Sequence, residues 1–268
     1  MKISIPDANG FTNAFVGLFN NFVVFTNDAP PPPPIIPPVF ELSAPTRFAT
    51  GGFQQEVLND TGFAMSVTAN APAGSFAILN YSLNVALTIP GSSGIYDTQN
   101  NQYAVISSNR YPKAEGVFAV LASGLIRNPV TASDSVILPH NLSTGARLGV
   151  GYFFTGAAQN PIDQIYSGAG FTGADLLRTI SIYPTGVTQY SGENGLMFIN
   201  RPWQIIFTAV SGGFVPTNFY SAGTLSGVGT VMAAFTGNFP IPTGITGQST
   251  VANQASHGWQ GWVVTVHP

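Results

Sequence analysis

A glycine-rich stretch has the spacing of a nucleotide-binding motif. Residues Gly168–Gly173 read G-x-G-x-x-G, and Glu193 follows 20 residues after the last glycine. This motif binds a dinucleotide only where a strand leads through a tight turn into a helix. The sequence predicts one short helix here, Thr172–Arg178 with Thr172 as the N-cap, and no alternation of strands and helices around it. In a chain with 30 glycines, we interpret the match as chance.

A second set of residues has the types found in hydrolytic triads. The chain has three histidines: His140, His257 and His267. None has another histidine or a carboxylate at metal-ligand spacing. Asp134 lies six residues before His140, and serines flank it at Ser133 and Ser135. Because no G-x-S-x-G turn accompanies these residues, we predict no catalytic, cofactor-binding or metal-binding residues and no enzyme activity.

The acidic residues and the tryptophans allow further interpretations: a calcium site, a glycan hydrolase and a sugar-binding groove. Asp60 follows Asn59, and Asp97 precedes Gln99 to Gln102, so either loop offers oxygen ligands to calcium, although such residues more often shape turns. A glycan hydrolase needs two carboxylates about 5–10 Å apart, which the scattered acids do not reveal. The chain has three tryptophans: Trp203, Trp259 and Trp262. They fit core or interface positions better than a sugar-binding groove.

Charge is unusually scarce. Asp, Glu, Lys and Arg make up 7% of the chain, against about 25% in typical soluble domains. None of them occurs between Asp60 and Asp97 or after Arg201. Protein interfaces are depleted of charged residues, so these stretches predict contacts between subunits. The net charge is −3 and no basic run exists, which argues against direct nucleic-acid binding. The absence of cysteine excludes disulfides and thiol chemistry.

The elements that must carry these residues are strands. Gly and Pro total 51 of 268 residues, a density that long helices do not tolerate. Alternating or β-branched runs predict strands at Phe63–Thr68, Leu83–Ile89, Tyr103–Ser107, Val117–Leu121, Val136–Leu138, Leu148–Phe154, Thr179–Tyr183, Leu196–Ile199, Gln204–Val210, Val228–Phe235 and Trp259–Val266. Turn signals separate them. The fold class we predict is all-β, a jelly-roll type of sandwich or barrel.

Three regions follow from these patterns. Residues 1–45 form an extended, strand-like arm, and its Pro30–Pro38 segment forms a polyproline rod of roughly 28 Å. Residues 46–156 form a first β-sandwich and 157–268 a second, stacked on it, because domains near 100 residues are common. A single elaborated sandwich over 46–268 is the alternative. We read no signal peptide and no apolar run of about 18 residues, and the missing export signal argues against an outer-membrane barrel.

In general texture the chain resembles the coat proteins of non-enveloped or internal-membrane viruses. The resemblance transfers no individual residue. It leads us to expect a virion structural protein, a bacteriophage capsid subunit that is assembled in the host cytoplasm. The expected partners are copies of itself, with trimers favoured, and other virion proteins, over an internal membrane or a further protein layer. A carbohydrate-binding spike, fibre or adhesin is one alternative, and a secreted or virion-borne glycan hydrolase is another.

Overall fold

The computed structural model describes residues 2–6, 12–16, 41–53, 62–83, 94–110, 118–139, 147–171, 178–182, 189–190, 192–202, 214–215, 230–237, 249–253 and 258–268. Within them, all regular structure is β-strand and there is no helix. None of these residues belongs to a helix long and apolar enough to span a membrane. The chain divides into two compact units, Met1–Val39 and Phe40–Pro268. The all-β prediction is therefore confirmed for the part of the chain that is described.

The first unit contains an antiparallel pair of strands. Strand β1 (Lys2–Pro6) pairs with β2 (Thr12–Val16), with Lys2 opposite Val16 and Pro6 opposite Thr12. The sequence predicted an extended, strand-like arm over residues 1–45, which stays a prediction beyond these two strands. The proline segment Pro30–Pro38 lies outside the described residues.

The second unit begins with eight strands that close into a barrel. In chain order they are β3 (Thr46–Phe53), β4 (Gly62–Val67), β5 (Phe76–Leu83), β6 (Ile95–Asp97), β7 (Gln102–Arg110), β8 (Phe118–Leu125), β9 (Ser135–Pro139) and β10 (Arg147–Phe154). Around the barrel the order is β10-β3-β4-β9-β6-β7-β8-β5, and β5 pairs with β10 to complete the circle. The closure removes the unpaired edges that open sheets expose.

The barrel strands pair in order from the two ends of the barrel segment towards its middle. The first strand pairs with the last (β3 with β10), the second with the seventh (β4 with β9) and the third with the sixth (β5 with β8). The fourth and fifth, β6 and β7, form the hairpin at the tip. All four pairings are antiparallel. The barrel is therefore one long antiparallel hairpin, four strand pairs deep, wrapped around a common core.

Seven further strands follow in the same unit. They are β11 (Ile162–Phe171), β12 (Arg178–Ile182), β13 (Asn194–Pro202), β14 (Phe214–Val215), β15 (Thr230–Gly237), β16 (Ser249–Asn253) and β17 (Gly258–Val266). Five of them form a sheet in the order β11-β17-β13-β15-β14, and β12 pairs with β16. The pairing again runs inwards, with β11 on β17, β12 on β16 and β13 on β15. The order β11-β17-β13-β15 repeats that of β3-β10-β5-β8 in the barrel.

Strand alternation gives β5 two buried faces. Ala77, Leu79 and Tyr81 belong to the core inside the barrel. The alternate residue Ile78 belongs to a second core, and Asn80 bonds across to β13. The inner core is filled by large side chains, among them Phe48, Phe63, Met65, Leu79, Tyr81, Tyr103, Val136 and Leu138. The barrel interior is thus a packed core of the kind that small barrels have.

Two glycines of β10 make room for this filling. A Cβ on Gly149 would lie 2.5 Å from Met65 Sδ, and one on Gly151 would lie 2.8 Å from Leu79 Cδ2. Glycine at these inward positions lets large residues from other strands occupy the centre of the barrel.

The five-stranded sheet covers one side of the barrel. Their shared core contains Phe76, Ile78, Ala119, Leu121, Leu148, Val150, Tyr152 and Phe154 from the barrel and Leu196, Phe198, Trp262, Val264 and Val266 from the sheet. Two polar contacts cross this core. Asn80 and Asn200 exchange amide hydrogen bonds of 3.0 and 3.3 Å, and Trp262 Nε1 donates to Ser107 Oγ at 2.9 Å. These buried bonds fix the register of the two layers because any slip would leave polar groups unpaired.

Most of the predicted strands are confirmed, and the errors are local. Predicted strands correspond to β4, β7, β8, β9, β10, β12, β13, β15 and β17. The predicted helix Thr172–Arg178 is wrong at Arg178, which begins β12, and residues 172–177 lie outside the described part. Of the predicted strand Leu83–Ile89, Leu83 is the last residue of β5 and residues 84–89 lie outside the described part, as does Gln204–Val210. Strands β3, β5 and β11 were missed because glycine and polar residues interrupt their apolar alternation.

Candidate functional sites: carboxyl clusters and an uncharged sheet face

The β6–β7 turn is built around a buried carboxylate, Asp97. Its Oδ1 accepts hydrogen bonds from the backbone N–H groups of Gln99 and Asn101, both at 2.9 Å. Its Oδ2 accepts from Asn101 Nδ2 at 2.8 Å and from the Tyr103 hydroxyl at 2.6 Å. Asn100 adopts a φ of 63°, a left-handed conformation that asparagine tolerates in tight turns. Asp97 thus shapes the turn and anchors it to Tyr103.

A second carboxylate, Asp134, fastens the neighbouring turn. Its Oδ1 accepts from Thr98 Oγ1 and Gln99 Nε2, each at 2.7 Å. Its Oδ2 accepts from Thr131 N at 2.7 Å and Thr131 Oγ1 at 2.8 Å. These donors, with the Thr98 hydroxyl first among them, hold the pKa of Asp134 well below its usual range. The two clusters meet at Gln99, which bonds to both carboxylates.

Two of the sequence-based readings, the calcium loop and the triad around Asp134, involve these residues. Each oxygen of Asp97 and Asp134 already accepts two hydrogen bonds, so the geometry is that of an Asx turn and a loop clamp. Ser133 Oγ bonds to Thr131 Oγ1 at 2.9 Å. His140, Asn59 and Asp60 lie outside the described residues. Among the residues that are described, no group of three or more His, Cys, Asp or Glu side chains is arranged to hold a metal ion.

The glycine-rich motif does not have the geometry of a dinucleotide site where it is described. Residues Gly168–Phe171 continue β11 as an antiparallel strand, with Gly168 opposite Gly261 and Gly170 opposite Trp259. The motif needs a tight turn at this point. Glu193 is instead completely buried, next to the first residue of β13.

Glu193 forms a carboxyl pair with Asp163 of β11. Two successive backbone amides place the acids side by side: Gln189 N donates to Asp163 Oδ2 and Tyr190 N to Glu193 Oε1, both at 2.9 Å. The Asp163 carboxyl and the Thr265 hydroxyl also act on Glu193 through hydrogen bonds, but neither reaches Oε2 with full hydrogen-bond geometry. Burial raises the pKa of Glu193, and the charge of Asp163 adds to the rise.

His267 completes this second cluster. Its ring stacks on Tyr190 with the centroids 3.8 Å apart and the planes inclined by 12°. Nδ1 lies 2.9 Å from the main-chain oxygen of Pro268 and Nε2 lies 2.9 Å from that of Asn160. Main-chain oxygens only accept hydrogen bonds, so both contacts are satisfied together only when both ring nitrogens carry a proton.

The tryptophans are only partly described. Trp262 is fully buried between the barrel and the second sheet, which is the core position that the sequence favoured over a sugar-binding groove. Trp203 lies outside the described residues, and for Trp259 only the strand position is described.

One half of the barrel carries an open face without charge. On β4, β9, β6 and β7, the residues that alternate with the inner core lie on the outer surface. They are Gly62, Ala64, Ser66, Ser135, Ile137, Pro139, Tyr96, Gln102 and Ala104. We call these nine residues the uncharged face. Ala64, Ser66, Tyr96, Gln102 and Ala104 are exposed, and the other four are partly exposed. The opposite half of the barrel is covered by the second sheet.

Sequence reasoning missed both the carboxyl pair and the uncharged face. Asp163 and Glu193 lie 30 residues apart and carry no motif. The face is assembled from four strands. β6 and β7 are consecutive in the sequence, whereas β4 and β9 lie in separate parts of it. The scarcity of charge over the Asp60–Asp97 stretch was the one available signal, and β4 and most of β6 lie within it.

No protein-family model, no curated protein and no solved structure matches this chain. The functional conclusion therefore depends on the geometry and chemistry of the described residues.

Proposed function

We propose that this chain is a virion structural protein, a capsid subunit that assembles with copies of itself. The observation that carries the proposal is the uncharged face, an exposed sheet surface with small residues and no charge. Covering such a surface requires no charged group to leave water, which is the main cost of burying ordinary protein surface. Within the chain, the other half of the barrel is already covered in this way by a sheet.

The strand order supports a jelly roll as the architecture of this subunit. A jelly roll is an eight-stranded antiparallel hairpin wrapped into two sheets of two interlocked Greek keys. The barrel has the corresponding halves, β3-β10-β5-β8 and β4-β9-β6-β7. Because β11-β17-β13-β15 repeats the first half and β12 pairs with β16, we propose two stacked jelly rolls, 46–156 and 157–268. The proposed boundary lies between β10 and β11.

The polar side chains of the described part support a mechanical role. Asp97 and Asp134 are each held by four hydrogen bonds that fasten turns, and the barrel interior is filled by side chains. Rigid turns and a packed core suit a subunit that must present one shape to its neighbours. No observation in the described part specifically favours the glycan-binding or the glycan-hydrolase alternative.

The size of the uncharged face predicts a weak contact that many copies reinforce. Four strands about 4.8 Å apart, with about five residues each at about 3.4 Å, cover roughly 320 Å². A standard interface buries about 800 Å² on each partner. A further contact is therefore needed, and we propose that the first unit, Met1–Val39, supplies it to a neighbouring copy. Linked weak contacts reinforce each other through their effective concentration. We propose trimers as the building block, formed in the host cytoplasm and incorporated into the virion.

The test places one positive charge on the uncharged face. Ala104→Lys lies on the exposed side of β7, and Ala132→Lys, its matched control, lies in an exposed turn outside the face. Sedimentation and light scattering of the full chain are measured over a range of concentrations and salt. We expect the native chain and Ala132→Lys to exceed the monomer mass of 28.1 kDa as concentration rises, and Ala104→Lys to stay at that mass.

Two outcomes would refute the proposal. A native chain that stays monomeric at high concentration has no self-association to explain. Equal association of Ala104→Lys and the native chain removes the uncharged face as the contact. Circular dichroism of each variant establishes that the lysine has not unfolded the barrel.

A further inference from the structure

Three segments that are distant in sequence meet at the carboxyl pair. Asp163 belongs to β11, Glu193 precedes β13, Thr265 lies near the end of β17, and His267 follows that strand. Strand β17 lies between β11 and β13, with Val266 opposite both Ile162 and Asn194. The backbone is joined here as well, because His267 N donates to Pro161 O at 2.8 Å and Gln164 N donates to Thr265 Oγ1 at 3.0 Å.

The carboxyl pair is most stable with an added proton. Two neighbouring carboxylates repel each other unless a proton lies between them, and Glu193 is fully buried, where a negative charge is poorly solvated. Acidification therefore strengthens the contact between the two carboxyl groups.

We infer that Asp163 and Glu193 form a proton-operated clasp, which ties the 189–190 segment to β11 and loosens as pH rises. The clasp adds a regulatory element to the second sheet. It does not depend on the self-association proposed above, because all of its contacts lie within one chain.

The sign of the pH effect follows from the direction of the shift. Burial, with Asp163 beside it, raises the pKa of Glu193 in the folded chain. Stability from such a group is fully present below its ordinary pKa and is lost as pH rises through the raised folded value. The titratable side chains at the cluster in the described part are Asp163, Glu193, Tyr190 and His267, and Asp163 is the charged group that acts on Glu193. The clasp is closed in acid and opens towards neutral and alkaline pH.

The test is hydrogen exchange of the full chain, read at the amides of Gln189 and Tyr190, which bond to the two acids. Between about pH 5 and pH 8, after correction for intrinsic exchange, we expect protection of these amides to fall at least about tenfold. Glu193→Gln keeps an acceptor for Tyr190 N and adds a donor towards Asp163 without charge. Its protection is expected to stay at the acid level throughout.

A second variant and a control keep the outcome decisive. Asp163→Asn removes the neighbouring charge and should also flatten the profile, so the test does not depend on one variant folding. Glu41→Gln makes the same charge change on an exposed residue and should leave the native slope intact. A flat native profile, or a native slope in both Glu193→Gln and Asp163→Asn, would overturn the inference. Restoration of protection at high pH by millimolar calcium would overturn it too, by showing that the pair holds a cation.

Discussion

Two tyrosines inside the barrel should respond to the same substitution with opposite signs. Tyr81 and Tyr103 both belong to the inner core and are almost completely buried. The Tyr103 hydroxyl donates to Asp97 Oδ2 at 2.6 Å, whereas the Tyr81 hydroxyl has no hydrogen-bond partner among the residues that the structure describes. Burial raises the pKa of both phenols, so both are neutral throughout the usual pH range. Replacement of each by phenylalanine removes one oxygen and leaves the ring in place.

Tyr103→Phe should lower the free energy of unfolding by about 2–3 kcal/mol. The bond to a carboxylate is short, and hydrogen bonds to charged groups contribute about 1.5–3 kcal/mol. The loss also leaves Asp97 Oδ2 with one donor, Asn101 Nδ2, in a buried site. We therefore expect the loss in the free energy of unfolding to lie in the upper part of the range for hydrogen bonds to charged groups.

Tyr81→Phe should leave the free energy of unfolding unchanged or raise it by about 1 kcal/mol. A buried hydroxyl without a partner costs about 1–3 kcal/mol relative to water, and its removal recovers part of that cost. The small void left by the oxygen offsets some of the gain.

Urea unfolding of both variants and the native chain measures the difference directly. We expect the two variants to differ by about 3 kcal/mol, or roughly 6–12 °C in Tm for a domain of this size. The double variant Asp97→Asn/Tyr103→Phe should show coupling, since the two residues share a bond, while Asp97→Asn/Tyr81→Phe should be additive. Equal destabilisation by Tyr81→Phe and Tyr103→Phe would refute the assignment of hydrogen bonds in the barrel.

Two further substitutions test the polar contacts of the barrel. Asp134→Asn should lower the Tm of the chain at neutral pH but not in acid. A carboxylate with a lowered pKa contributes stability above its ordinary pKa, and this contribution is lost as pH falls through the lowered value. Measuring Tm against pH tests this, and a Tm difference between variant and native chain that stays constant with pH would contradict it. Trp262→Phe should cost about 2–4 kcal/mol in urea unfolding, through lost packing and the lost bond to Ser107, with Ser107→Ala costing about 1 kcal/mol. A loss below about 1 kcal/mol for Trp262→Phe would contradict its position between the two layers.

Strand β10 shows how far sequence alternation can be read. Its apolar positions Leu148, Val150, Tyr152 and Phe154 predicted a strand with one buried face, and β10 occupies these residues. They pack under the second sheet, outside the barrel. The inward positions include Gly149 and Gly151, which look like weak points of a strand until Met65 and Leu79 are seen to fill the space. Alternation identifies two faces but not the partner of either.

The carboxyl clusters show where the sequence gives no guidance. Asp97 was noted as a loop residue, and its turn-shaping role follows from local contacts to Gln99 and Asn101. Asp163 and Glu193 are brought together only because β11 and β13 both pair with the distant strand β17, with Val266 opposite both Ile162 and Asn194. No short-range pattern records that meeting.

By itself, the sequence determined the class of structure and the character of the surface. Glycine and proline exclude long helices, alternation produces strands, and the scarcity of charge ensures that some exposed faces carry none, because each of these effects acts within a few residues. The tertiary structure alone decided which strands became neighbours, which face of each strand was covered, and which acids met. Those choices depend on pairings between distant segments, where burial and hydrogen bonding are decided by the whole arrangement.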